Sequence, residues 1–137
     1  MSAAFLDTAG WLAALRPDQA YHRESQAAYQ NWIAGGVPMV TTNLVMAEMQ
    51  AMLMRQRGTA VALQFLDQVY GDPGHEVVFI ERDIERAAID RWLRKFSDHA
   101  ISLADAVSFE VMRTRRIRDV LTLDAHFRTA GFTIHPR

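Results

Sequence analysis

Short apolar runs of the kind found in buried strands alternate with helical patterns along the chain. This alternation constrains the fold more than any other feature of the sequence. The runs are AAFLD, PMVTT, EVVFI, DVLTL and FTIHP, and the stretches between them have the period of amphipathic or buried helices. Because strands separated by helices favour parallel pairing, the sequence predicts a layered α/β fold with a mainly parallel sheet.

Helices are predicted over the segments between these runs, and glycines and prolines mark several of their ends. Gly35, Gly36 and Pro38 end the second helix, Asn43 is the predicted N-cap of the third, and Gly58 separates the third from the fourth. The predicted ranges are 8–15, 21–33, 43–57, 59–70, 82–96 and 103–114, with a short helix in DAHFRTAG.

The chain has 137 residues, of which 50% are hydrophobic and 23% charged, so we expect a single domain over residues 1–137 with a sizeable core. The absence of cysteine excludes disulfides, thiol catalysis and Cys-ligated zinc, and it fits a reducing compartment. There is no basic segment before the first apolar run and no run long enough to span a bilayer, so a cytoplasmic protein is expected. A net charge of −1 offers nucleic acid no overall attraction.

Four acidic residues lie where an apolar residue or a neutral cap is expected. Asp7 and Asp124 each follow an apolar strand, which in a parallel sheet places them at the carboxyl edge, where ligand crevices form. Each could instead be a plain N-cap of the helix that follows. Both interpretations remain open for these two residues.

The other two acids, Glu48 and Asp105, are predicted on the packed faces of helices. Glu48 shares its face with Val45, Met49 and Met52, and Asp105 shares its face with Phe109 and Met112. Ser102 and Asp105 also form the S-x-x-D pattern of a capping box, a local role that does not require a buried face.

Taken together, the four acids suggest one convergent site. Carboxylates within a few ångströms of one another repel strongly unless a cation lies between them. Oxygen ligands without cysteine favour Mg²⁺ or Mn²⁺ over zinc. Magnesium held by few carboxylates accepts phosphate oxygens, which is suited to phosphodiester hydrolysis.

At these residues the chain resembles PIN-domain ribonucleases, and more narrowly the VapC-type toxins of type II toxin–antitoxin systems. The resemblance covers nearly the whole chain, through FLDTAGWLA, TTNLVMAEM and SDHAISLADAVSFEVMRTRRIRDVLTLDAHFRTAGF. It implies a three-layer α/β/α sandwich with a short, mainly parallel sheet.

The resemblance also implies site residues and partners. Asp7, Glu48, Asp105 and Asp124 match the catalytic acids that bind the metal, Mg²⁺ or Mn²⁺. Thr8 matches a position whose hydroxyl supports the first acid, Ser102 is expected to support Asp105, and Asp98 matches a peripheral acid. The implied substrate is RNA, cut to a 5′-phosphate and a 3′-hydroxyl. The implied partners are a second copy of the chain and a cognate antitoxin whose C-terminal segment blocks the metal site.

One basic run offers candidate substrate contacts: Arg113, Arg115, Arg116 and Arg118. These side chains could bind the RNA backbone. A solvated helix end with cations favoured by the helix dipole is an equal alternative. His126 could contact substrate, although packing or capping explains a lone histidine beside Phe127 at least as well.

Two other functions compete with the nuclease interpretation. A haloacid-dehalogenase-like phosphatase with Asp7 as nucleophile would need a second aspartate at position 9, which is alanine. A catalytically inactive RNA- or protein-binding module of the same fold would be signalled by loss of one of the four acids, and none is lost.

Overall fold

The computed structural model describes residues 2–137 and has the alternating architecture predicted from the sequence. The strands are β1 (Ala4–Leu6), β2 (Met39–Thr42), β3 (His75–Val78), β4 (Asp119–Leu121) and β5 (Thr133–His135). The helices are α1 (Thr8–Leu15), α2 (His22–Ala34), α3 (Asn43–Arg57), α4 (Thr59–Gly71), α5 (Arg82–Ala88), α6 (Leu103–Arg115) and α7 (His126–Thr129). A π-helical segment, Ile89–Leu93, continues α5.

All five strands pair in parallel in the order β3-β2-β1-β4-β5. The chain first builds outward from β1 to β3 and then returns to the other side of β1 with β4. The strand order therefore reverses between β1 and β4, and a crevice forms at the carboxyl ends of strands on either side of such a reversal. Asp7 follows β1 and Asp124 follows β4, so this topology brings both to the crevice.

Two hydrophobic cores lie on opposite faces of the sheet, which confirms the three-layer sandwich. One contains Trp11, Trp32 and Phe65 from α1, α2 and α4, together with methionines of α3. The other contains Trp92 and Phe109, from the π-helical segment and α6. The three tryptophans are at most 8% exposed and therefore belong to the core.

Gly10 allows α1 to lie directly against β4. A Cβ atom at this position would be 2.5 Å from the carbonyl carbon and oxygen of Leu121 and from the backbone nitrogen of Thr122. Only a residue without a side chain fits so near to backbone atoms. The glycine therefore sets the distance between the helix that begins after Asp7 and the strand that leads to Asp124.

The predicted cap of α3 is wrong by one residue. Thr42 is the N-cap, and its hydroxyl accepts a hydrogen bond from the backbone N–H of Val45. Asn43 instead accepts one from the N–H of Ile80 through its side-chain oxygen, which ties the start of α3 to the segment after β3. Both residue types cap well, so the choice depends on this tertiary contact.

Among residues 2–137, no helix is both long and apolar enough to span a membrane.

Candidate active site

Asp7 lies at the carboxyl end of β1 and is only 6% exposed. It occupies the N-cap position of α1, yet its side chain makes no capping hydrogen bond. Its Oδ2 instead accepts a hydrogen bond of 2.7 Å from the hydroxyl of Thr122. A plain capping role therefore does not account for this carboxylate, which faces β4.

Thr122 links two of the acidic residues. Its hydroxyl oxygen donates to Asp7 and accepts a hydrogen bond of 3.0 Å from the backbone N–H of Asp124. The Asp124 carboxylate in turn accepts a hydrogen bond of 2.9 Å from the backbone N–H of His126. Asp124 thus stabilises a local turn, but the N-cap of α7 is Ala125, so the N-cap role that the sequence left open for Asp124 is not observed. Its half-buried side chain borders the crevice.

Asp105 is in the first turn of α6, directly above the buried side chains of Phe109 and Met112. Its backbone N–H donates to the hydroxyl of Ser102, which caps the helix at 3.1 Å. The predicted cap is therefore present, but Ser102 contacts the backbone of Asp105 and not its carboxylate. Ligand atoms of Asp105, Asp124 and His126 all lie within 4.8 Å of one another.

Glu48 is exposed, so its predicted position on the packed face of α3 is wrong. Val45 and Met49 are buried as expected. At about 100° per residue, Glu48 is roughly 100° away from Met49, which places it at the border of the apolar stripe. Thr8 donates a hydrogen bond of 3.2 Å to Oε1 of Glu48, so the Thr8 hydroxyl supports this acid and not Asp7.

The four carboxylates share one electrostatic environment. The pKa of Asp7 is raised from 3.8 to about 6, chiefly by burial and also by the charges of Glu48 and Asp124, although hydrogen bonds from Thr122 and from the backbone of Thr8 act in the opposite direction. Burial also raises the pKa of Asp105, as do the charge of Asp7, the hydrogen bond and charge of Asp124, and the charge of Glu48. The charges of the neighbouring acids therefore make ionisation of Asp7 and of Asp105 more costly.

This donor set fits a small divalent cation. The acids offer several carboxylate oxygens around one crevice, and the mutual repulsion that raises the pKa of two of them is what a bound cation would remove. Hard oxygen donors are the ligands that Mg²⁺ and Mn²⁺ prefer. His126 adds an imidazole beside Asp105 and Asp124.

Comparison with known proteins identifies the family. The family model described as the PIN domain matches residues 4–133. The chain belongs to the PIN domain family. The family inferred from the sequence is thereby confirmed.

Among curated relatives of this PIN domain is the 23S rRNA-specific endonuclease VapC20 from two strains of Mycobacterium tuberculosis, CDC 1551 / Oshkosh and ATCC 25618 / H37Rv. Each is 29% identical over 133 residues, which is 93% of this chain and 94% of the relative. The crystal structure of M. tuberculosis VapC20, a sarcin-ricin loop cleaving toxin, matches this chain with a TM-score of 0.81 and 27% identity. The match covers 96% of this chain and 97% of the VapC20 chain.

A second solved structure, FitAcB from Neisseria gonorrhoeae, supports the fold. It has a TM-score of 0.70 at 15% identity and covers 96% of this PIN domain and 95% of its own chain.

The basic run lies far from the acidic crevice of this PIN domain. Arg115 is ten residues beyond Asp105, about 15 Å along the axis of α6. It forms an ion pair of 2.8 Å with Glu76, and Arg113 forms one of 2.8 Å with the buried Glu110. Arg116 and Arg118 follow the end of the helix, before the amino end of β4. The structure therefore does not bring these four arginines to the carboxyl edge.

Asp98, the predicted peripheral acid, is exposed, and its Oδ2 lies 3.9 Å from Nε2 of His99. His99 in turn approaches His126, with 6.2 Å between ring centroids. The contact of Asp98 with His99 thus leads to the cluster through His126.

Sequence patterns did not identify Thr122, and they explained His126 by packing or capping at least as well as by a contact with substrate. Thr122 is two residues before Asp124, a spacing at which a threonine hydroxyl commonly accepts from the backbone. That signal could have identified its contact with Asp124. Its bond to Asp7 depends on the pairing of β1 with β4, which no local pattern reveals.

Proposed function

We propose that this protein is a metal-dependent endoribonuclease that acts as the toxin of a toxin–antitoxin pair. Asp7, Glu48, Asp105 and Asp124 are its catalytic, metal-binding acids. The observation that carries the proposal is the convergence of these carboxylates at the point where the strand order reverses, where neighbouring acidic charges help to raise the pKa of Asp7 and of Asp105. The PIN domain match and the similarity to VapC20 support it.

Mg²⁺ or Mn²⁺ held by these acids would supply a Lewis acid that makes water a better nucleophile and offsets charge on the phosphate. The neighbouring residues fix the acids for this task. Thr122 orients Asp7, Thr8 orients Glu48, and the capped start of α6 holds Asp105. Supporting contacts of this kind fix ligand geometry and contribute to metal affinity.

The reaction is hydrolysis without a protein nucleophile. Water attacks the scissile phosphorus in line, the bond to the 3′ oxygen breaks, and a proton passes to that oxygen. The products are a 5′-phosphate and a 3′-hydroxyl. A cation held by the acids would offset the negative charge that develops on the phosphate.

RNA is the proposed substrate, and 23S ribosomal RNA is the first to test because the relative VapC20 is specific for it. The proposed partners are a cognate antitoxin, whose C-terminal segment covers the crevice, and a second copy of this chain. Light scattering on the purified chain tests for the dimer.

The deciding experiment is incubation of the purified, antitoxin-free chain with end-labelled total RNA and with 23S rRNA. Reactions contain Mg²⁺, Mn²⁺ or EDTA, and Asp7→Asn is assayed in Mg²⁺. Asp67→Asn, an exposed aspartate of α4, is the matched control. We expect discrete cuts with 5′-phosphate ends that EDTA and Asp7→Asn abolish and Asp67→Asn does not. Absence of cutting by the folded wild type on every RNA would favour a catalytically inactive binding module.

A further inference from the structure

A cavity of about 390 Å³ adjoins the acidic crevice on the side of β5. Thr122, which holds Asp7, lines it, and so does Leu123, the residue before Asp124. The cavity therefore neighbours the proposed reaction centre through Thr122 and Leu123, although none of the four acids lines it. Its volume is at the small end of the range for small-molecule sites and suits one nucleotide better than a helix of a partner protein.

The lining of this cavity suits the flat face of an aromatic ring. Leu123, Ile134 and Pro136 provide apolar surface. Tyr21 adds an aromatic side chain that is 64% exposed, and its backbone is in the left-handed region at a φ of 62°. This conformation is uncommon for a bulky residue and costs free energy. The structure therefore keeps an exposed tyrosine at the cavity in an unfavourable backbone conformation.

Charge along β5 favours an RNA strand as the occupant. A second cavity of about 400 Å³ shares Ile134 and Arg137 with the first and is also lined by Arg128 and Phe132. Arg128 and Arg137 are exposed, and neither forms an ion pair within the described part of the chain. Free guanidinium groups beside an aromatic-lined cavity fit a phosphate backbone whose bases are unstacked.

We propose that the cavity between Tyr21 and Leu123 binds one unstacked base of the RNA, adjacent to the scissile phosphate, with Arg128 and Arg137 on the neighbouring phosphates. This inference rests on the proposed ribonuclease function and adds to it a base-binding subsite. Glu24, exposed at the rim, accepts hydrogen bonds from base amino groups and disfavours an acidic peptide in the same place.

The test measures binding and cleavage separately. AMP, GMP, CMP and UMP are titrated into the ¹⁵N-labelled full chain in EDTA, and cleavage of 23S rRNA and total RNA is followed in Mg²⁺. The variants are Tyr21→Ala and Tyr21→Phe, and Tyr21→Asn covers the case in which alanine disturbs the left-handed backbone. The control is Tyr70→Ala, which removes a tyrosine of α4 that is 52% exposed and does not line this cavity.

We expect shifted amide signals at Leu123 and Ile134 with at least one nucleotide. Tyr21→Ala and Tyr21→Asn should bind about fivefold or more weakly, because stacking of one base on an aromatic ring contributes that much or more. They should lower kcat/KM for RNA to a similar degree, mainly through KM. Tyr21→Phe and Tyr70→Ala should behave as wild type.

The two proposals fail in different ways. If folded Tyr21→Ala and Tyr21→Asn bind nucleotides and cleave RNA as well as the wild type does, the proposed base subsite is refuted and the nuclease proposal is unaffected. Absence of nucleotide signals at the cavity from a chain that cleaves RNA would do the same. Nucleotide binding at the cavity by a wild type that cleaves no RNA would support the subsite and count against the nuclease.

Discussion

Substitution Asp7→Asn should stabilise the metal-free protein at neutral pH. Burial and neighbouring charges raise the pKa of Asp7 from 3.8 to about 6. The ionised carboxylate therefore costs the folded state roughly 3 kcal/mol relative to the unfolded chain. Asparagine removes the charge and can still accept the hydrogen bond from Thr122. Allowing for relaxation of the site, we expect a gain of about 1–3 kcal/mol in the free energy of unfolding.

The sign of this effect depends on pH. The folded state binds the proton of Asp7 more tightly than the unfolded chain, so wild-type stability falls as pH rises from about 4 to about 6 and then levels off. The advantage of Asp7→Asn should be full at pH 7 and nearly absent at pH 4.

Urea unfolding in EDTA at both pH values measures these differences, and thermal unfolding should show a gain of roughly 4 °C per kcal/mol. Asp67→Asn is the control and should be neutral. Millimolar Mg²⁺ should stabilise the wild type by mass action and Asp7→Asn much less. The reasoning is refuted if folded Asp7→Asn in EDTA at pH 7 is no more stable than wild type.

Three further outcomes follow from the structure. Gly10→Ala should lower the free energy of unfolding by about 1–3 kcal/mol and reduce Mg²⁺ binding, because the added Cβ would lie 2.5 Å from backbone atoms at the end of β4. The control is Gly71→Ala, whose Cβ would have no neighbour within 4 Å and which should be neutral or stabilising. Calorimetry with and without Mg²⁺ measures both variants. Glu110→Gln should cost about 1–3 kcal/mol at pH 7 by urea unfolding, since this buried carboxylate accepts hydrogen bonds from an indole and a guanidinium group. Burial acts to raise the pKa of Glu110, but those hydrogen bonds hold it below 4.5. The loss of stability in Glu110→Gln should therefore shrink as pH falls below that value. The double variant Arg116→Ala/Arg118→Ala should cleave RNA at the wild-type rate, and a loss of tenfold or more would return the basic run to the substrate site.

The residues that the sequence placed best are those whose positions follow from the order of the strands and from the spacing of apolar residues. Asp7 and Asp124 follow apolar runs, and parallel strands bring their carboxyl ends to one edge, so their proximity required only the correct sheet type. Asp105 followed from a cap pattern and an apolar face, both of which the structure contains. These are local signals with regular geometry.

What the sequence could not predict depends on tertiary contacts. Glu48 lies at the border of a helical stripe, where a rotation of about 100° separates a buried residue from an exposed one. Arg113 appeared free in the sequence and is bound to the buried Glu110. The π-helical segment Ile89–Leu93 was predicted as α-helix, because one extra residue in a single turn hardly changes the spacing of the apolar residues.

The hydrogen bond between Thr122 and Asp7 joins positions 115 residues apart. Translation proceeds from the amino end, so a growing chain carries Asp7 and Glu48 long before β4 exists to complete their surroundings. Contacts between such distant positions form only after a large loop has closed. A nascent chain therefore has no acidic crevice until residues 119–124 have emerged from the ribosome, which separates synthesis of this protein from the appearance of its proposed activity.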